Sequence, residues 1–289
     1  MAKIPLRDRI RELERVYSGI GKQLKEELLK IGAGNYQELE AMKVKEKAEK
    51  LIKRLNREAI RWANGSITEA YKESYIISKT RLELLGISQT LNFDRKKHRR
   101  TVEDIRGKTI DDLLKANLSI KQNVDTYLYL MRTASQGVMQ IQEFGLDDEE
   151  AIEGIIAAAI KEGKRPGYAI NLIRAYFQGK IGDGQLIKAG SRTYDLKYYS
   201  RMVARTRMRK VQTEAVKNTC EQYGNDLVQV SDHSTECEIC EPYEGEVFSL
   251  SGRHPEYPQL DESPPWHPNC MHNILPTSEE AIEVSKRWQ

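Results

Sequence analysis

Three of the chain's four cysteines and two of its five histidines stand in two short motifs, Cys237-Glu-Ile-Cys240 and, after 26 intervening residues, His267-Pro-Asn-Cys270-Met-His272. A Cys-x2-Cys pair presents two thiolates to one ion from a tight turn, and a second knuckle from a distant turn completes a tetrahedron. The ion this spacing suits best is structural zinc. Cys237, Cys240 and Cys270 are the firm ligands. The fourth position is open between His267, which forms a His-x2-Cys knuckle, and His272, with His233 a more remote candidate. A catalytic zinc would leave one position to water and would want a carboxylate base. Asp232, Glu236, Glu238 and Glu241 supply carboxylates nearby, so a His-Asn-His-like nuclease built on His267 and Asn269 is the enzymatic alternative. Pro268 and Cys270 suit a structural knuckle better, and the expectation is no enzyme.

The module around these residues must be small. After Gly224 the chain turns rich in Pro and Gly, with short strand candidates at Leu227–Val230 and Gly245–Phe248. An α+β unit over 225–278 with so few apolar residues needs a metal to hold it. Cys220 lies in a helical pattern and reads as a buried small apolar residue.

Upstream, the periodicity is helical. Leu6, Ile10, Leu13, Val16, Ile20, Leu24 and Ile31 form one stripe, broken at Gly32-Ala-Gly34-Asn35. Val44, Ala48, Leu51, Leu55, Ala59 and Trp62 form a second, ending at Asn64-Gly65, and Ser66 is placed to cap a third helix that Gly86 closes. Residues 92–108 read as a basic connector, with a new helix from Thr109 and Asp111 and Asp112 in its first turn. A helix over 147–163, a turn at Lys164-Arg165-Pro166-Gly167 and a helix over 168–177 resemble a helix-turn-helix, but only Arg174 would read bases, so packing explains them better. The last long helix spans 194–222, with Ala204, Met208, Val211 and Ala215 on one face.

The fold class expected is therefore mainly α, with long helical N-terminal and middle regions followed by a small α+β zinc-stabilised C-terminal module. The segments are 1–91, a basic helical region; 92–108, the connector; 109–224, a helical domain; 225–278, the metal module; and 279–289, a tail.

The net charge of +3 conceals a division: residues 1–100 carry 24 Lys and Arg against 14 Asp and Glu, and residues 225–289 carry 3 against 13. A basic N-terminal part suits phosphates or an acidic protein face. The candidate contacts are Arg95, Lys96, Lys97, Arg99 and Arg100, and a stripe of Arg201, Arg205 and Arg209. No apolar run approaches the roughly 18 residues of a membrane span, and the first residues lack the apolar block of a signal peptide. A protein made and used without secretion, and without a membrane partner, is expected.

Set in order, Val230-Ser-Asp-His233, the Cys-x2-Cys pair, Gly245-Glu-Val-Phe-Ser-Leu-Ser251, His267-Pro-Asn-Cys270-Met-His272 and Pro276 resemble the C-terminal domain of the minor capsid, or head morphogenesis, proteins of tailed bacteriophages. Ala204-Arg205-Thr206 stands where that family has an Ala-Arg-Thr-Glu helix end, with Arg207 in place of the usual Glu, and Met271 replaces the usual Arg. The family's Cys or His at the last position favours His272 as fourth ligand. The resemblance implies a structural virion protein present in few copies, built into the head during assembly in the host cytoplasm. It further implies association with the portal protein, the major capsid protein or the inner capsid surface, and in some members contact with packaged double-stranded DNA.

Overall fold

The computed structural model describes residues 5–31, 36–90, 94–136, 186–189 and 192–287, with isolated positions between 162 and 179. The glycine break at 32–35 and the expected helix-turn-helix over 147–177, Arg174 included, lie outside the described residues. The described elements are α1 (Leu6–Leu28), α2 (Glu38–Trp62), a π-helical turn (Ala63–Ile67), α3 (Thr68–Leu84), α4 (Arg95–Gln136), β1 (Ile187–Ala189), β2 (Arg192–Tyr194), α5 (Leu196–Tyr223), β3 (Leu227–Val230), a 3-10 turn (Glu241–Tyr243), β4 (Val247–Ser249), β5 (Ile274–Pro276) and α6 (Glu279–Arg287). Long helices followed by a small sheet region are the architecture expected from the periodicity. None of the described helices is long and apolar enough to cross a membrane.

Two compact units interleave along the chain rather than following one another: residues 1–12, 60–111 and 201–289 make one, and 13–59 with 112–200 the other. In the second, Leu13, Tyr17, Ile20, Leu24 and Leu28 of α1, Val44, Ala48, Ile52 and Leu55 of α2, and Leu113, Ile120, Val124 and Tyr127 of α4 are buried. These follow the i, i+3, i+4 spacing of amphipathic helices, with Tyr17 in the place expected for Val16. The Tyr127 hydroxyl donates to the Ile31 carbonyl at 2.7 Å, satisfying one of the carbonyls left open past the end of α1. Gly21 lets Leu196 approach, since a Cβ there would meet its Cδ2 at 3.3 Å.

Two helix boundaries differ from the sequence expectation. Asn64-Gly65 does not end α2: the chain passes through a π-helical turn into α3, and Ser66 makes no side-chain cap. Trp62, Ala63 and Ile67 are buried on either side of the glycine, and the Trp62 indole N–H donates to the Arg9 carbonyl at 2.8 Å, so tertiary burial outweighs the local break. The expected connector over 92–108 is likewise helical from Arg95. Asp94 Oδ1 accepts the backbone N–H of Lys96 at 2.8 Å and of Lys97 at 3.1 Å, a side-chain cap at the N-terminus. Arg99 pairs with Glu103 one turn on at 2.8 Å, and Thr109, expected at a helix start, is buried mid-helix with its hydroxyl on the Ile105 carbonyl.

In the first unit the sheet order is β4-β3-β5, both pairings antiparallel, with Val228 opposite Phe248 on one side and opposite Pro276 on the other. Strands β3 and β4 were legible in the sequence; β5 and the β1-β2 hairpin were not. Gly224, at φ +68°, closes α5 and turns the chain into β3. The last turns of α5 cover the sheet: Val216 and Cys220 pack with Val228, Val230, Phe248, Leu260 and Ile274. Cys220 is fully buried, as expected, and burial pushes its thiol up to about 12. On the helical side, the Asn218 side-chain amide donates to the Tyr71 hydroxyl at 2.8 Å and the Thr101 hydroxyl at 3.0 Å, tying α5 to α3 and α4. Arg81 of α3 donates to the Pro276 carbonyl at 2.6 Å, so α3 also holds β5.

Candidate metal centre

The first knuckle lies between β3 and the 3-10 turn. The backbone N–H groups of Cys240 and Glu241 both donate to the Cys237 carbonyl at 2.9 Å, a tight turn that aims both sulfurs the same way. The second knuckle, between the Trp266 region and β5, is built alike: the Cys270 N–H donates to the His267 carbonyl at 3.1 Å, and Asn269 takes a left-handed conformation at φ +67°. Asparagine tolerates that region better than most residues. The Asn269 N–H donates to the Thr206 hydroxyl at 3.3 Å, anchoring the second knuckle on α5.

The two knuckles bring five donors together in two overlapping groups. Cys237, Cys240 and His267 form one and Cys240, Cys270 and His272 the other, each with its ligand atoms within 4.8 Å of one another. His267 Nε2 lies 3.0 Å from Cys240 Sγ and 3.5 Å from Cys237 Sγ; Cys240 and Cys270 Sγ are 3.9 Å apart; and His272 Nδ1 is 3.5 Å from Cys270 Sγ. Cys240 belongs to both groups. His233 belongs to neither: its ring packs edge-on to that of His272, with centroids 5.0 Å apart.

Each ligand-group imidazole has its other nitrogen engaged by an acceptor. His267 Nδ1 lies 2.9 Å from the Pro268 carbonyl, and His272 Nε2 lies 2.5 Å from Glu244 Oε1. A carbonyl and a carboxylate can only accept, so in the neutral rings these nitrogens carry the proton and His267 Nε2 and His272 Nδ1 present lone pairs to the sulfurs. Glu244 also accepts the backbone N–H groups of His233 and Thr235 at 3.3 and 3.0 Å. Burial pushes its carboxyl up, but these hydrogen bonds outweigh it and hold the group below the usual carboxylate range.

The thiols are unequal. Cys237 is half-buried and held below its ordinary value by the backbone N–H groups of Cys240 and Ile239. Cys240 is buried, and desolvation with the neighbouring thiols Cys237 and Cys270 pushes it up to about 12. Three thiols crowded in one place repel one another's charge, and a divalent cation is what offsets that repulsion. Soft sulfur with imidazole nitrogen is a donor set that could hold a metal ion.

Glu244 was not among the carboxylates singled out in the sequence, because no spacing rule connects it to His272. Thr206 was noted only as part of a helix motif. Arg209, third in the expected basic stripe, is half-buried, and desolvation holds its guanidinium below its ordinary value while the nearby Cys270 acts the other way. Only Arg201 of that stripe is exposed, and Arg205 is half-buried. In the run on α4, Arg95, Lys96, Arg99 and Arg100 are exposed, Lys97 pairs with Glu221, and His98 sits between Tyr71 and Tyr75.

Residues 177–286 match the family described as phage minor capsid protein 2, a stretch that takes in α5, the sheet, both knuckles and nearly all of α6. Comparison with curated proteins and with solved structures gives no match. The region that holds the five donors and their anchoring helix is thus similar to the phage minor capsid proteins that its motif order resembles.

Proposed function

We propose that this chain is a minor structural component of a tailed-phage head, incorporated in few copies during assembly at the portal or the inner capsid surface, and that its C-terminal module is stapled by one zinc ion. The observation that carries the reading is the coincidence, in one region, of the family match with a two-knuckle Cys/His cluster whose imidazoles are already oriented for ligation. A structural role suits the donor count, because three thiols and one imidazole fill a tetrahedron without leaving a position for water. The ion is held by Cys237, Cys240 and Cys270, with His272, backed by Glu244, or His267, tied to a backbone carbonyl, completing the set. Zinc bound there would supply folding free energy to a module with little core of its own.

The test is fractionation of assembling particles: the chain should co-purify with procapsids and virions and carry about one zinc per copy. Absence from both particles would overturn the assembly role, and metal-free protein with a folded module would overturn the staple.

A contact with packaged DNA is the second reading, favoured by the exposed Arg95, Lys96, Arg99 and Arg100 on α4. Duplex affinity should then fall steeply with salt, and a flat salt response would remove the idea. No observation favours a nuclease.

A further inference from the structure

The faces that α3 and the first turns of α4 turn to one another enclose a furrow of about 600 Å³ that the metal cluster does not touch. Its α3 wall is lined at positions 68, 71, 72, 75 and 76 and its α4 wall at 95, 98, 99, 102, 103 and 106, the spacing of two helix faces. Tyr75, Ile76 and Val102 make the apolar part, and Ile76 is 57 % exposed. A β-branched apolar side chain so exposed in the lining of a furrow, with Val102 and Tyr75 lining it too, is an unfilled face rather than a scattered surface residue.

The rim is charged with one sign. Lys72, Arg95, Arg99 and Arg106 line the furrow against a single carboxylate, Glu103. Glu103 is taken by Arg99, and Lys72 pairs with Glu69, whereas Arg95 and Arg106 have no ion pair among the described residues. The furrow is also prevented from collapsing. His98 packs edge-on against both Tyr71 and Tyr75, with ring planes at 81° and 85°, and the Tyr75 hydroxyl accepts from the Gln222 amide at 3.3 Å.

We propose that this furrow docks an acidic amphipathic helix of another protein, its apolar stripe on Ile76 and Val102 and its carboxylates on Arg95 and Arg106. Two helix walls with an apolar floor accept a third helix through i, i+3, i+4 anchors, and the cations at the rim select carboxylates on its flanks. Nucleic acid fits less well: phosphates gain nothing from Ile76 or Val102, and the aromatic rings are packed against one another, not free to stack on bases. This inference stands on the furrow alone and not on the metal centre.

The probes are a labelled 16-residue helical peptide with leucines at i, i+3, i+4 and i+7 and glutamates on its flanks, the same peptide with lysines for glutamates, and a duplex oligonucleotide, titrated onto the full chain. The glutamate peptide should bind, the lysine peptide should not, and Ile76→Asp should weaken binding by at least about tenfold with helix content and metal content unchanged. Arg106→Glu should weaken the glutamate peptide and strengthen the lysine peptide, an exchange that misfolding cannot produce. No binding of the glutamate peptide, binding indifferent to both variants, preferential binding of the duplex, or self-association of the chain that Ile76→Asp abolishes would each overturn the proposal. Because no particle assembly is involved, failure here is distinct from failure of the head-protein reading.

Discussion

His272 Nε2 lies 2.5 Å from Glu244 Oε1, and the two side chains are 3 % and 10 % exposed. A buried carboxylate that fixes the tautomer of an imidazole, leaving the other nitrogen facing sulfur, is the arrangement by which proteins orient a metal-ligating histidine. Glu244 also gathers the backbone of His233 and Thr235, so the same carboxylate braces the approach to the first knuckle.

Glu244→Ala should therefore loosen the ion without removing a ligand. A drop of about 10- to 100-fold in zinc affinity is expected, read by competition with a chromophoric chelator. Unchanged affinity would make His267 the ligand that matters.

Because Cys240 belongs to both donor groups and Cys237 and Cys270 to one each, their serine variants should not be equivalent. Cys240→Ser should lose the ion outright and melt the module. Cys237→Ser and Cys270→Ser should retain weak, partial occupancy. Metal-to-protein ratios after gel filtration would check the ranking.

Asn218 joins three helices through one amide, and it is 6 % exposed. Asn218→Ala would leave the Tyr71 and Thr101 hydroxyls without that donor, at a cost of about 1–3 kcal/mol in denaturant unfolding. Burial pushes the Tyr71 phenol up to about 12, so it stays neutral throughout the range where this can be measured.

Asp226 accepts the Ser249 hydroxyl at 2.5 Å and the Ser251 N–H at 2.7 Å, closing the turn beside β4. Burial raises its carboxyl, but these hydrogen bonds outweigh it and the folded value lies below the ordinary one. The stability it contributes is thus present above the unfolded aspartate value of about 3.9 and is lost as pH falls through the folded one. Asp226→Asn should be destabilising by at most about 1 kcal/mol at neutral pH, after allowance for solvent screening, and the gap to the parent should close in acid. Urea melts of both proteins at neutral and low pH would reveal it.

The stripes on α1 and α2, the helix α5 and the first two sheet strands were legible because each follows from a local period or a turn residue. The clustering of Cys237, Cys240 and Cys270 was legible for the same reason, as paired turns four residues long. What escaped was set by contacts distant in sequence. Asn64-Gly65 reads as a break until Trp62 and Ile67 are seen buried on either side of it, and the basic run after Asp94 reads as a solvated connector until its capping and its Arg99–Glu103 pair are in view. Glu244 and Thr206 reach the Cys/His knuckles only through the tertiary fold, Thr206 from 63 residues away. Strand β5, three residues ending in proline, has too little pattern to announce itself and is held by pairing with β3 and by Arg81.

The burial of Cys220 gives the native chain an internal silence. Its thiol has no exposed surface and ionises only near 12, so alkylating reagents at neutral pH pass it by. The other three cysteines all stand in the cluster. Thiol labelling of the folded protein would therefore be a direct gauge of whether an ion protects the cluster, with Cys237, the most accessible of them and held below its ordinary value, expected to react first in metal-free protein.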